Sequence, residues 1–104
     1  MTKVTLYYAD WCGHCKDFKP TWAALKNLFK KNNVNHAEFE DGQHEQIIQK
    51  AGVEGFPTIK IEKDNEEYEY TGNRDINSII HEVLPDLQMG GGNLTRYNIV
   101  YNKV

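Results

Sequence analysis

The two cysteines of this chain stand three residues apart, in Cys12-Gly13-His14-Cys15. If a helix starts beneath them, that spacing puts one sulfur a single turn behind the other, close enough to close a small disulfide ring. A sulfur in the first turn of a helix faces unpaired backbone N–H groups and the positive end of the helix dipole. Both favour thiolate over thiol, so the pKa of Cys12 is expected below the ordinary thiol value of about 8.5. The thiolate is the nucleophile. Cys12 would attack a substrate disulfide to form a mixed disulfide, and Cys15 would then attack Cys12 and release the reduced substrate. The reverse sequence oxidises a dithiol. His14 lies between the sulfurs in the sequence; a partly cationic imidazole there favours the reduced pair and makes the disulfide more oxidising.

Blander readings compete with redox chemistry. Half of a zinc site is one, but His36, His44 and His81 are scattered and supply no second ligand pair. Inert core cysteines are another, opposed by the polar Gly13-His14 between them. A structural disulfide is a third, opposed by the strain of so small a loop.

The elements around the pair must position it. Lys3 to Tyr8 is rich in β-formers, apolar on both faces, and suits an interior strand. From about Cys12 to Lys31 the spacing is helical, with Phe18, Trp22, Leu25 and Phe29 on one face and Leu28 widening the stripe. Pro20 falls inside this helix and is expected to kink it. Val34 to Glu40 reads as a second strand, with Ala37 and Phe39 on one side and His36, Glu38 and Glu40 on the other. Gln43 to Ala51 reads as a short helix stopped by Gly52. Thr58 to Glu62 and Glu67 to Thr71 read as a hairpin around Asp64-Asn65. Ile76, Ile79, Ile80 and Val83 mark a last helix, stopped near Pro85. The order is strand, helix, strand, helix, strand, strand, helix. It implies an α/β fold: a parallel crossover followed by an antiparallel hairpin, in one mixed sheet with helices on both faces.

Length and composition agree with one domain. The chain has 104 residues, 26% of them charged, and a formal charge of −3. That acidic balance argues against a nucleic-acid footprint. No apolar run approaches the ~18 residues of a membrane helix. No signal-peptide pattern or retention signal is seen, which points to a cytoplasmic address and a reducing role. Residues 1–88 are expected to form the domain and 89–104 a tail hinged at Gly90-Gly91-Gly92. The tail is either a frayed terminus or an added edge strand over Arg96–Tyr101, beside Val34–Glu40.

At this point a resemblance adds to the reading. Tyr8-Ala9-Asp10-Trp11-Cys12-Gly13-His14-Cys15-Lys16 with Pro20 resembles the active-site stretch of the thioredoxin superfamily. The Gly13-His14 dipeptide is that of protein disulfide isomerase catalytic domains. Gly52-Val53, Gly55-Phe56-Pro57-Thr58 and Tyr70-Thr71-Gly72-Asn73-Arg74 extend the match over about residues 4–84. The resemblance implies a thioredoxin fold with a four-stranded sheet, and a cis Phe56–Pro57 bond that sets the Phe56 backbone beside Cys12. Trp11, Gly13, Phe56 and Pro57 would then border a shallow peptide-binding surface. It implies protein thiols and disulfides as substrates, an unidentified thiol or reductase as electron donor, and no bound cofactor or metal. A monomer without nucleic-acid or membrane partners is expected.

Three departures from the family pattern carry expectations of their own. Leu6 stands where the family carries a buried carboxylate. Glu38 falls opposite it, where isomerase domains often carry lysine, so the acid is expected to have crossed strands. Glu38 is then either a proton relay for Cys15, its pKa raised by burial, or a solvated strand residue. Glu54 replaces an arginine that assists reoxidation, and Asp10, Glu38 and Glu54 together imply an acidic field favouring basic substrates. Only eleven residues precede Cys12, nearer the plan of a glutaredoxin. A glutathione-dependent reductase and a non-catalytic peptide-binding module are the rival functions.

Overall fold

The computed structural model describes residues 1–87. Strand β1 (Thr2–Tyr8) is an interior strand of the sheet and buries Val4, Thr5, Leu6 and Tyr7, residues of both its faces. On one side runs β2 (Asn35–Glu40), parallel, with Lys3 opposite Asn35 and Leu6 opposite Glu38. On the other runs β3 (Thr58–Lys63), antiparallel, with Leu6 opposite Ile59. Strand β4 (Glu66–Glu69) completes the sheet in the order β2-β1-β3-β4. This is the mixed four-stranded sheet with helices that the element order implies.

Parallel neighbours need a long crossover, and helix α1 (Gly13–Lys31) provides it. Its stripe is the expected one: Cys15, Phe18, Trp22, Leu25 and Phe29 are buried. The Phe18 and Trp22 ring centroids lie 6.2 Å apart, and those of Trp22 and Phe29 6.0 Å. Each such side chain contributes roughly 1.5–3 kcal/mol on burial. Pro20 lies inside the helix, which continues past it to Lys31.

The β3–β4 turn has positive φ at both central residues, 51° at Asp64 and 70° at Asn65. That pair suits the right-handed twist of a two-residue hairpin, and Asp and Asn tolerate it. Strand β4 ends earlier than expected, although Tyr70 N–H still donates to the Ile59 carbonyl at 2.8 Å. Helix α2 (Glu45–Lys50) starts two residues late, because the N–H groups of Gln43 and His44 both turn back to the Glu40 carbonyl. Gly52, at φ 72°, follows its C-cap in the left-handed region that glycine allows.

Among the described residues, those from Asn73 onward belong to a second compact unit. It holds α3 (Ile76–Val83), capped by Asp75, whose carboxylate accepts from Ser78 N–H at 2.8 Å and from its hydroxyl at 2.9 Å. Ile79, Ile80 and Val83 are its buried residues. The expected tail strand over Arg96–Tyr101 lies outside the described residues.

Candidate active site

Between β1 and α1 the chain turns through Ala9, Asp10 and Trp11. Cys12 N–H closes this turn on the Ala9 carbonyl at 3.1 Å, and Asp41 N–H donates to the Tyr8 carbonyl at 2.8 Å. A buried carboxylate completes the frame. Glu40, only 8% exposed, accepts Asp10 N–H on Oε2 and Gln43 N–H on Oε1, both at 3.1 Å. These amides, Asp10 first, hold its carboxyl below the usual range. The strand reading, which set Glu40 on the polar side with His36 and Glu38, is corrected here. As the last residue of β2, Glu40 meets the amides of two adjoining loops, which replace the water it would otherwise need. Its position at the end of a parallel strand was the available signal.

Cys12 is the N-cap of α1, with extended φ −88° and ψ 122°. Its Sγ accepts the Cys15 N–H at 3.4 Å and donates to the Phe56 carbonyl at 3.5 Å. The first bond is what the helix-start reading requires, a sulfur taking up one of the unpaired amides of the opening turn. The pair is in the dithiol form. Cys12 is 8% exposed and Cys15 3%, packed with Ala9 against Tyr8 and Phe56. His14 is exposed in the first turn of α1. A Cβ on Gly13 would meet nothing within 4 Å, so that side of the pair is open.

Trp11, 70% exposed, sets its ring edge-on to Phe56, with centroids 5.9 Å apart and planes at 84°. The two form an apolar flank beside the sulfurs. The Phe56–Pro57 bond is cis, as the resemblance implies. Thr58 Oγ1 donates to the Gly55 carbonyl at 2.7 Å and ties down the turn before β3.

Beside Cys15 lies a cavity of about 240 Å³, walled by Leu6, Trp22 and Pro57 among others, with Lys26 and Glu38 also lining it. Glu38 stands opposite Leu6, as the alignment of strands predicts. Its Oε1 accepts from Trp22 Nε1 at 2.8 Å and from Lys26 Nζ at 2.9 Å. The expectation that burial raises its pKa is corrected. Its side chain is 39% exposed, and the Lys26 hydrogen bond, aided by Trp22, holds the carboxyl below the usual range against a weaker opposing effect of burial. Lysines stand beside two of the three acids, Glu38 and Asp10, from which an acidic field was expected. Lys26 answers Glu38, and Lys19 Nζ lies 3.9 Å from Asp10, a pair too exposed to contribute much. Trp22 and Lys26 were missed as members of the site. Their four-residue spacing on α1, which stacks them on one face, was the only sign.

Among the described residues no three His, Cys, Asp or Glu side chains gather as a metal site. None of the described helices is long and apolar enough to cross a membrane.

Comparison with known proteins agrees with this geometry. A family model described as "Thioredoxin" matches residues 2–84. Protein disulfide isomerase-like 1-4 of Arabidopsis thaliana is 35% identical over 89 residues, which cover 86% of this chain and 15% of the relative. Human protein disulfide-isomerase A6 is 37% identical over 82 residues, 75% of this chain and 19% of the relative. The chain thus spans less than a fifth of the length of either. Among solved structures, the first thioredoxin domain of mouse protein disulfide-isomerase A4 superposes with a TM-score of 0.69 at 31% identity, covering 91% of this chain and 71% of that one.

Proposed function

The chain belongs to the thioredoxin family, whose members related to it are thiol–disulfide oxidoreductases, and we propose that it reduces, forms or exchanges disulfides in protein substrates. The observation that carries this reading is the Cys15 N–H bond to Cys12 Sγ at the mouth of α1. It favours an enzyme over a peptide-binding module, in which the sulfurs would need no such placement. Cys12 is the nucleophile. Its sulfur takes one sulfur of the substrate disulfide, and the other leaves as a thiolate. Cys15 then attacks Cys12, the second substrate sulfur leaves, and the Cys12–Cys15 disulfide remains for an electron donor to reduce.

The exposed Trp11, the open side at Gly13, and the Phe56–Pro57 segment border the surface on which an extended substrate would lie. His14 tunes the pair. Glu38, across the cavity from Cys15, takes the proton that the resolving thiol loses. The reaction needs no bound cofactor.

Insulin reduction by dithiothreitol, followed as turbidity, tests the proposal. Wild type is expected to accelerate precipitation and Cys12→Ala to abolish the acceleration. A wild type no faster than dithiothreitol alone contradicts an oxidoreductase.

A further inference from the structure

Both donors to Glu38, from Trp22 and Lys26, fall on one oxygen, Oε1. Oε2 takes no hydrogen bond from the described residues. The cavity that Glu38 shares with Cys15, at about 240 Å³, has room for several waters of ~30 Å³ each, and Glu38, Lys26, Lys19 and Tyr8 on its otherwise largely apolar wall give them partners. We propose that Lys26 is a positioning residue that keeps Glu38 competent to take the Cys15 proton as the medium turns acid. The proposal rests on the oxidoreductase reading above and assigns a control element to it.

In the resolving step the Cys15 sulfur bonds to the Cys12 sulfur as the bond from Cys12 to the substrate sulfur breaks. The substrate leaves as a thiolate. The Cys15 proton passes through cavity water to Glu38, which returns it to solvent, so the step needs no outside oxidant or reductant. A carboxylate serves as base only while ionised. Lys26 and Trp22 on α1 favour the ionised form, and the charge of His36 on β2 adds to them, while burial opposes it. Lys19 of α1 and Tyr8 of β1 also line the cavity. Burial first, then Glu38 and neighbouring acidic groups, push the Tyr8 phenol up, so it stays neutral where the carboxylate titrates. A half-exposed ion pair adds little to stability, so replacing Lys26 leaves the fold standing.

The test follows substrate release from a preformed mixed disulfide against pH, by stopped flow, in wild type, Lys26→Met, Lys26→Arg and Glu38→Gln. The acid limb of the rate profile is expected to move to higher pH in Lys26→Met. Lys26→Arg, which keeps charge and donor, restores it, and Glu38→Gln removes the carboxylate limb altogether. Trp22 supplies a second readout independent of turnover. In a Trp11→Phe background it is the sole tryptophan, and its fluorescence should titrate with Glu38, at a higher midpoint once Lys26 is Met. Superimposable rate profiles and titrations for wild type and Lys26→Met overturn the proposal while leaving an active wild type an oxidoreductase. A wild type without insulin turnover overturns both.

Discussion

At the scale of single residues, the site depends on what each polar atom has for a partner. Cys12 Sγ has the Cys15 amide, Glu40 has two loop amides, and Glu38 has an indole and an ammonium. The placement of Cys12 and Cys15 at the mouth of α1 was legible because both the spacing and the helix start are local to a few consecutive residues. The surroundings of Glu38 were not, because its partners come from a helix twelve and sixteen residues away. Sequence order placed Glu38 opposite Leu6 but could not show that Lys26 reaches it. Glu38→Ala is expected to slow resolution of mixed disulfides more than their formation, measured as separate phases in rapid-quench experiments. Equal effects on both phases would leave Glu38 a solvated strand residue.

At the scale of elements, α1 does two jobs with one strip of sequence. Its first turn holds the sulfur pair, and its buried stripe anchors that turn to the sheet. The stripe was readable because helical periodicity is dictated by a repeating geometry. Leu25, fully buried, becomes a void on replacement by Ala, expected to cost about 2–5 kcal/mol in urea unfolding. The hairpin was readable too, since few residues other than Asp, Asn and Gly accept positive φ. Replacing Asn65, at φ 70°, with Ala is expected to cost about 1–2 kcal/mol by the same assay. The face of Glu40 was not readable. Alternation along β2 assigned it to the polar side, but loop amides at the end of the strand, which no alternation encodes, draw it inside.

At the scale of the whole molecule, the sheet order followed from the order of elements, since a crossover and a hairpin leave few topologies. The balance of charge did not follow, because an acidic sequence still sets Lys26 and Lys19 against the acids near the site. Acid stability should report this. Glu38 and Glu40 are both held below their ordinary value of 4.5 in the folded chain. A depressed carboxyl contributes stability that is fully present above its unfolded value and lost as pH falls through its folded one. The difference in melting temperature between wild type and Glu40→Gln is therefore expected to be largest above the ordinary carboxylate range and to close below it. A difference that stays constant with pH would mean that the charge of Glu40 is not what matters.

The redox account stands on Cys12 attacking first and Cys15 resolving. Trapping tests that order directly: Cys15→Ser is incubated with a disulfide-bearing protein, and the covalent adduct is located by peptide mass spectrometry. A stable mixed disulfide on Cys12, absent from wild type because Cys15 releases it, is the expected result. The absence of an adduct from Cys15→Ser, together with one on Cys15 when Cys12→Ser is tested alongside, would contradict the account.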